Sequence, residues 1–359
     1  MNFKQFLNKE KTMNYMKGIN AAAVLAAVVL SGCSGQGSKI QGASEEFPLG
    51  QVEIQGLSAS ACAAPSYIAV EKGFFAAEGI DVTLVSGTFE TSKAGLASGK
   101  YPVTNGDFQF FPSVSEGLDI KLIDGMHQGC IKLLTPPGSD ITTAAGLAGK
   151  RIGVDEIGGS PMAVTTIVLG NAGIDPMTGV TWLPYPLDQL KAVAEKGEVD
   201  AVALWDPFAT IAEQQGYHVI TDIGTDPLFA GKYCCFLFAS GKQIRENPER
   251  IKALLRAYHK ASEWIAANPE ETAQICIDKG YIASDDPEFV AGLLKSYKYH
   301  ATHEPGLKHQ VVRDALFFVS ELKKTGFIPA ATDAQKFVDD LYYDIAADVP
   351  AGHQASPSH

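Results

Sequence analysis

Three stretches decide the fold: Gln51-Val52-Glu53-Ile54-Gln55-Gly56-Leu57, Ala63-Ala64-Pro65-Ser66-Tyr67-Ile68-Ala69-Val70-Glu71-Lys72-Gly73-Phe74-Phe75, and Ile80-Asp81-Val82-Thr83-Leu84-Val85. The first alternates polar and apolar residues and stops at glycine, as a half-buried strand does. The second has Pro near its first turn and Gly73 at its end, the punctuation of a helix. The third is again a strand. Strand, helix and strand at this spacing predict a βαβ unit in a parallel sheet.

The pattern recurs downstream. Residues 92–98 read as a short helix ended by Gly99, and Val103-Thr104-Asn105 as a strand running into Gly106-Asp107-Phe108. Ile152-Gly153-Val154 is a strand followed by Gly158-Gly159-Ser160-Pro161 and a helix through Leu169. Residues 187–195 form a helix ended by Gly197, and residues 199–204 a strand leading into Trp205-Asp206-Pro207-Phe208. These stretches predict two α/β lobes on one plan. From Asn247-Pro248 the texture turns helical: Ile251, Leu254, Leu255, Tyr258, Ala261, Trp264 and Ile265 share one face. Further helices are expected near 270–279, 286–296, 309–324 and 332–346, wrapping back over the first lobe.

The chain has 359 residues, and 41 Asp+Glu against 29 Lys+Arg give a net charge of −12. That length exceeds one compact core and suits two lobes. With 46% hydrophobic and 19% charged residues the composition is that of a globular protein. The acidic balance argues against broad nucleic-acid or anionic-membrane binding. Lys4, Lys9, Lys11 and Lys17 precede an apolar run over residues 19–30 that is too short to span a bilayer. The run ends in Leu30-Ser31-Gly32-Cys33, which resembles the bacterial lipobox, in which the cysteine is lipidated and becomes the mature N-terminus. Removal of residues 1–32 takes away four Lys and one Glu and moves the net charge to −15. Residues 33–49 then read as a flexible tether and residues 346–359 as a frayed tail.

Residues 64–75 followed by Glu78-Gly79-Ile80-Asp81-Val82 resemble the opening of the periplasmic substrate-binding proteins of ABC importers. The likeness is to the NMT1/THI5-like branch, which handles nitrate, sulfonate, bicarbonate and thiamine precursors. Gly149-Lys150-Arg151-Ile152-Gly153-Val154, Gly197-Glu198-Val199-Asp200-Ala201, Trp205-Asp206-Pro207-Phe208 and Asn247-Pro248-Glu249 extend it over roughly residues 50–345. The resemblance implies an α/β, type II periplasmic-binding-protein fold: two Rossmann-like lobes joined by two crossovers, with a small-molecule ligand in the cleft between them. The lobes are expected at 50–136 with 236–345, and at 140–230; the crossovers are expected near 135–141 and 228–236. It further implies a lipid-anchored, extracytoplasmic, monomeric receptor that delivers solute to a permease and an ATPase, without cofactor, metal or catalysis.

In such lobes ligands bind beyond the C-terminal ends of strands, where helix N-termini point N–H groups into the cleft. The turns that qualify single out Cys62 and Pro65, Thr88 and Glu90, Asn105 and Asp107, Gly159 and Ser160, and Trp205 and Asp206. Each has a structural alternative: Ser160 and Asp206 could cap helices, and Trp205 could pack the lobe. If Asp107 and Asp206 both face the cleft, an oxyanion is disfavoured unless a cation offsets them. His127 and Gln128, just before the first crossover, are also expected at the cleft mouth. His300 and His303 have HxxH spacing without a third ligand nearby in sequence.

Six cysteines depart from the family pattern. With Cys33 lipidated, Cys62, Cys130, Cys234, Cys235 and Cys276 remain, an odd number that leaves at least one thiol unpaired within a monomer. Cys62, Cys130 and Cys234 with its neighbour fall on segments expected at the cleft or hinge. One reading is that they are buried small hydrophobes. The other is a thiol-lined pocket for a soft ligand: a thiophilic metal, or a sulfur or selenium compound. Two other functions compete with import. Tyr233-Cys234-Cys235-Phe236 is partly similar to the Cys-rich stretch of thiamine-pyrimidine synthases, which would make the chain an enzyme; a binding module feeding a membrane sensor is the third. No phosphate loop, HExxH motif or Ser/His/Asp triad spacing is present.

Overall fold

The computed structural model describes residues 42–56, 59–299 and 307–345. The leader over 1–32, Cys33, the start of the tether, the His300/His303 pair and the tail over 346–359 lie outside the described residues. No helix among the described residues is long and apolar enough to cross a membrane.

Strand β1 (Gln51–Gly56) is followed by a 3-10 turn (Ala61–Ala63), helix α1 (Ala64–Glu71), helix α2 (Phe74–Ala77) and strand β2 (Asp81–Ser86). β1 and β2 are parallel and in register from Gln51 with Asp81 to Gly56 with Ser86. The predicted βαβ unit is therefore present, and Gly73 at φ 69° breaks its helix in two. Next come α3 (Phe89–Ser98), β3 (Val103–Gly106), α4 (Phe111–Ser115), β4 (Ile120–Gln128) and β5 (Ile131–Thr135). The second lobe continues with β6 (Arg151–Val154), α5 (Ser160–Asn171), β7 (Thr181–Pro184), α6 (Leu190–Glu195), β8 (Ala201–Trp205), α7 (Phe208–Gln214) and β9 (His218–Asp222). The chain returns through β10 (Tyr233–Ser240) and ends in α8 (Gly241–Glu246), α9 (Pro248–Ala267), α10 (Pro269–Asp278), α11 (Pro287–Ser296), α12 (Leu307–Lys324) and α13 (Ala334–Leu341).

Among the described residues three sheets form, in the strand orders β1-β2, β3-β10-β4 and β7-β6-β8-β5-β9. β6 is parallel to β7 and β8, whereas β5 is antiparallel to both its neighbours and β10 to both of its own. The antiparallel strands are the ones by which the chain enters and leaves the second lobe. The sequence placed the first passage near 135–141. Pairing puts β5 in the second-lobe sheet, so the passage falls at Gly129-Cys130, between β4 and β5. The apolar run Ile131-Lys132-Leu133-Leu134 suits either sheet, and only its partners assign it. The tether also ends earlier than expected: the Leu49 N–H donates to Gly79 and Arg250 Nε to the Leu49 carbonyl.

Tyr258 of α9 shares a 2.9 Å hydrogen bond with Ser66 of α1. α12 does more. Its Phe318 stacks on Phe108 of the first lobe at 4.3 Å between ring centroids, and Thr325, just past its end, meets Thr166 of α5 at 3.3 Å.

Two predictions follow from this packing. Glu78, with a side chain 11% exposed, accepts from Arg256 and Lys260 of α9, each at 2.9 Å. Burial pushes its carboxyl up, but the two cations hold it below its usual range. A depressed carboxyl stabilises above its unfolded pKa and loses that contribution as pH falls. Glu78→Gln should cost about 1 kcal/mol in urea unfolding at pH 7, with the deficit shrinking in high salt and towards about pH 4. The second concerns Gly125 of β4, where a Cβ would sit 2.7 Å from the fully buried Tyr233 ring. Gly125→Ala should cost about 1–3 kcal/mol by overpacking, read as a lower urea midpoint at unchanged slope.

Candidate functional site

A cleft of about 170 Å³ lies between the C-terminal ends of the strands of the two lobes. The first lobe contributes Gln55 from the end of β1, Cys62, Thr88 and Phe89 beyond β2, and Asn105 and Asp107 from the end of β3. The second contributes Asp155, Glu156 and Ser160 beyond β6, and Trp205 at the end of β8. Cys130 and Cys235, from the two passages between lobes, also line it. A wider hollow of about 450 Å³ between α4 and α13 shares none of these residues, and its Lys336 and Asp340 already pair at 2.7 Å. The inter-lobe cleft is where polar groups converge.

Of the residues expected at the ligand, Cys62, Thr88, Asn105, Asp107, Ser160 and Trp205 line the cleft. Thr88 does so while capping α3 through its contact with the Thr91 N–H. Trp205 Nε1 donates to the Asp155 carboxylate at 2.8 Å. Ser160 Oγ donates across the cleft to Asp107 Oδ2 at 2.5 Å, a hydrogen bond between the two lobes within the cleft itself.

The others sit elsewhere. Pro65 is buried in the first turn of α1, and Gly159 precedes α5. Glu90 is exposed and paired with Lys93 at 2.6 Å. Asp206, 2% exposed, accepts from the Thr210 N–H and Oγ1 at 2.9 and 2.8 Å and from the Tyr297 hydroxyl at 3.3 Å, which holds the start of α7. His127, Gln128 and Cys234 are buried and are absent from the cleft lining.

His127 and Cys234 form one cluster with Cys130 and Cys235. One ring nitrogen of His127 and the three sulfurs all lie within 4.8 Å of one another. Cys130 Sγ is 3.5 Å and Cys235 Sγ 3.8 Å from Cys234 Sγ. The strand geometry explains the pair. Successive side chains of a regular strand point to opposite faces, but the register of β10 against β4 shifts on both sides of Cys235. Such a bulge turns neighbouring side chains to one side. Cys130 itself is held at φ 96°, a strained backbone for a non-glycine residue. None of the five described cysteines is in a disulfide.

The charges in the cleft are unusual. Asp107 is pushed up to about 7, first by burial and then by the charge of Cys235, with the Ser160 hydrogen bond pulling back. Burial also raises Asp155 and Glu156. The Cys235 thiol is drawn well down because Cys130, Cys234 and Cys62 direct their thiols at it, whereas Cys130 is pushed well up by burial. Burial alone would lower His127, but the facing charge of Cys235, with Cys234 beside it, takes it well above its usual range. Two buried atoms have no hydrogen-bond partner here, Asn105 Oδ1 and His127 Nε2. No Lys or Arg is among the residues lining the cleft.

Sequence reasoning did not select Gln55, Asp155 or Glu156 as contacts, and it raised Cys235 only with Cys234 as part of a thiol-lined pocket. Asp155 follows strand β6 as Asp206 follows β8, and that position was the available signal. The bulge that turns Cys235 inward leaves no mark in the sequence.

The NMT1/THI5 like family model matches residues 61–272. A putative aliphatic sulfonates-binding protein of Bacillus subtilis is 27% identical over 76% of this chain and 81% of its own. The 2'-hydroxybiphenyl-2-sulfinate desulfinase of Rhodococcus erythropolis is 26% identical over 58% of this chain and 72% of its own. Among solved structures, the periplasmic aliphatic sulphonate binding protein SsuA from Escherichia coli superposes with a TM-score of 0.66 at 17% identity, covering 88% of this chain and 96% of that one. With two lobes, antiparallel passages between them and a cleft at the strand ends, this chain belongs to the NMT1/THI5-like family and has the periplasmic-binding-protein fold.

Proposed function

We propose that this protein is the lipid-anchored, extracytoplasmic solute receptor of an ABC importer, and that its solute is neutral or cationic rather than a sulfonate or nitrate. The receptor role is supported by the family and by the inter-lobe cleft. Delivery to a permease and ATPase, anchoring through Cys33 and the monomeric state follow from the family reading and the lipobox. The solute's character rests on one observation: a cleft lined by Asp107, Asp155 and Glu156 with no Lys or Arg. Raised carboxyls are the mark of a site that already resists negative charge. An added oxyanion would meet them unscreened, while a donor or a cation would relieve them. The partnerless Asn105 Oδ1 likewise calls for a donor.

Closure follows the same logic. The Ser160 to Asp107 bond spans the lobes and can form only when they approach, so it favours the closed state that a ligand selects. The chemistry ends at binding and release.

Calorimetry with ethanesulfonate, nitrate and a neutral aminopyrimidine tests the solute class. Neither anion should bind below about millimolar Kd; micromolar binding of either overturns the reading. For any solute that does bind, small-angle scattering should show compaction, and Ser160→Ala should weaken affinity by about tenfold through loss of one charge-assisted bond. A solute that binds without compaction counts against closure.

A further inference from the structure

The cleft floor carries donors that the family reading leaves without a task. We propose that His127, Cys130, Cys234 and Cys235 form a binding site for one thiophilic d10 cation, of the Cu(I), Zn(II) or Cd(II) class, and that this cation is the transported solute. The inference rests on the receptor reading above and names its substrate class.

The geometry fits. A Zn–S bond of about 2.3 Å sets sulfurs of a tetrahedral site about 3.8 Å apart. The Cys234–Cys235 separation is 3.8 Å and the Cys130–Cys234 separation 3.5 Å, with all four donor atoms inside 4.8 Å. Three sulfurs and one imidazole are a donor set that soft d10 ions favour over magnesium or calcium, which take oxygen. His127 is 0% exposed, and its Nε2 has no partner. An orphaned buried nitrogen is costly unless something outside the protein completes it. Its Nδ1 lies 3.9 Å from Cys234 Sγ and 3.2 Å from the Gln128 carbonyl, so one ring nitrogen already stands beside the sulfurs. The rings of Tyr297 and Tyr299, at 4.8 and 5.5 Å, hold the imidazole in place.

Two local distortions converge on this point. The bulge in β10 brings neighbouring Cys234 and Cys235 to one side, and Cys130 is held at φ 96°. Cys130 and Cys235 also line the cleft, so an ion arriving there meets them directly, past three carboxylates that attract a cation. On ligation the cysteines that still carry protons release them to solvent, including the one Cys234 shares with the Gly129 carbonyl.

The test is anaerobic titration of the reduced full chain with Cd(II), followed by thiolate-to-metal charge-transfer absorption. One equivalent should saturate the band. Cys235→Ser and Cys234→Ser should each weaken binding by at least about 100-fold and His127→Gln by about 10–100-fold. Cys276→Ser, buried in α10 and not one of the clustered donors, should leave binding unchanged. X-ray absorption of the unmutated Zn(II) complex should count three sulfurs and one nitrogen, which removes dependence on variants folding. The proposal is overturned by an absent band, by fewer than three sulfurs, by equal weakening in Cys276→Ser, or by a Cys130–Cys234 disulfide that persists under reductant. Scattering separates the two readings. Cd(II) bound without compaction keeps the metal site and removes the receptor mechanism. Compaction on a neutral solute with no Cd(II) band keeps the receptor and removes the metal.

Discussion

Strand β10 inserts antiparallel between β3 and β4, and all eight of its residues are buried. No ladder forms between β3 and β4 without it, so the first-lobe sheet depends on a strand that arrives only after the whole second lobe has been traversed. The cost of burying a full strand's backbone is met by pairing both its edges. Because β10 is also the return passage between lobes, its N-terminal end lies beside the outgoing passage at Gly129-Cys130. One topological constraint therefore brings residues more than a hundred positions apart to a single point.

What gathers there is soft and electron-rich. A regular β10 would send Cys234 and Cys235 to opposite faces; the bulge does not allow it. Three thiols, an imidazole and a ring of carboxylates then share one low-dielectric volume, and their ionisations oppose one another. Burial raises Asp107 and Asp155, with the charge of Cys235 adding at Asp107, and this sets the cleft apart from one shaped for an oxyanion. Within a fold shared with sulfonate-binding proteins, side chains rather than architecture select the ligand.

Much of this was legible beforehand. The βαβ opening, the parallel strands of the second lobe and the amphipathic face of α9 follow from periodicity and glycine punctuation, which are local. Strand ends likewise located six residues that line the cleft. Asp206 shows the limit of that logic: a carboxylate at a strand end serves equally as a ligand or as a helix cap, and here Thr210 and Tyr297 occupy it. The first crossover was misplaced because β5 is apolar enough for either sheet.

By itself the sequence determined the elements, the two-lobe plan, the excess of acid and the odd number of cysteines, because each is a property of neighbours along the chain. Tertiary structure alone decided that Cys130, Cys234, Cys235 and His127 meet, and that no Lys or Arg among the described residues lines the cleft. The physical reason is that convergence depends on strand order, register and the irregular pairing around Cys235. These are settled by long-range pairing and leave no trace in the spacing of residues.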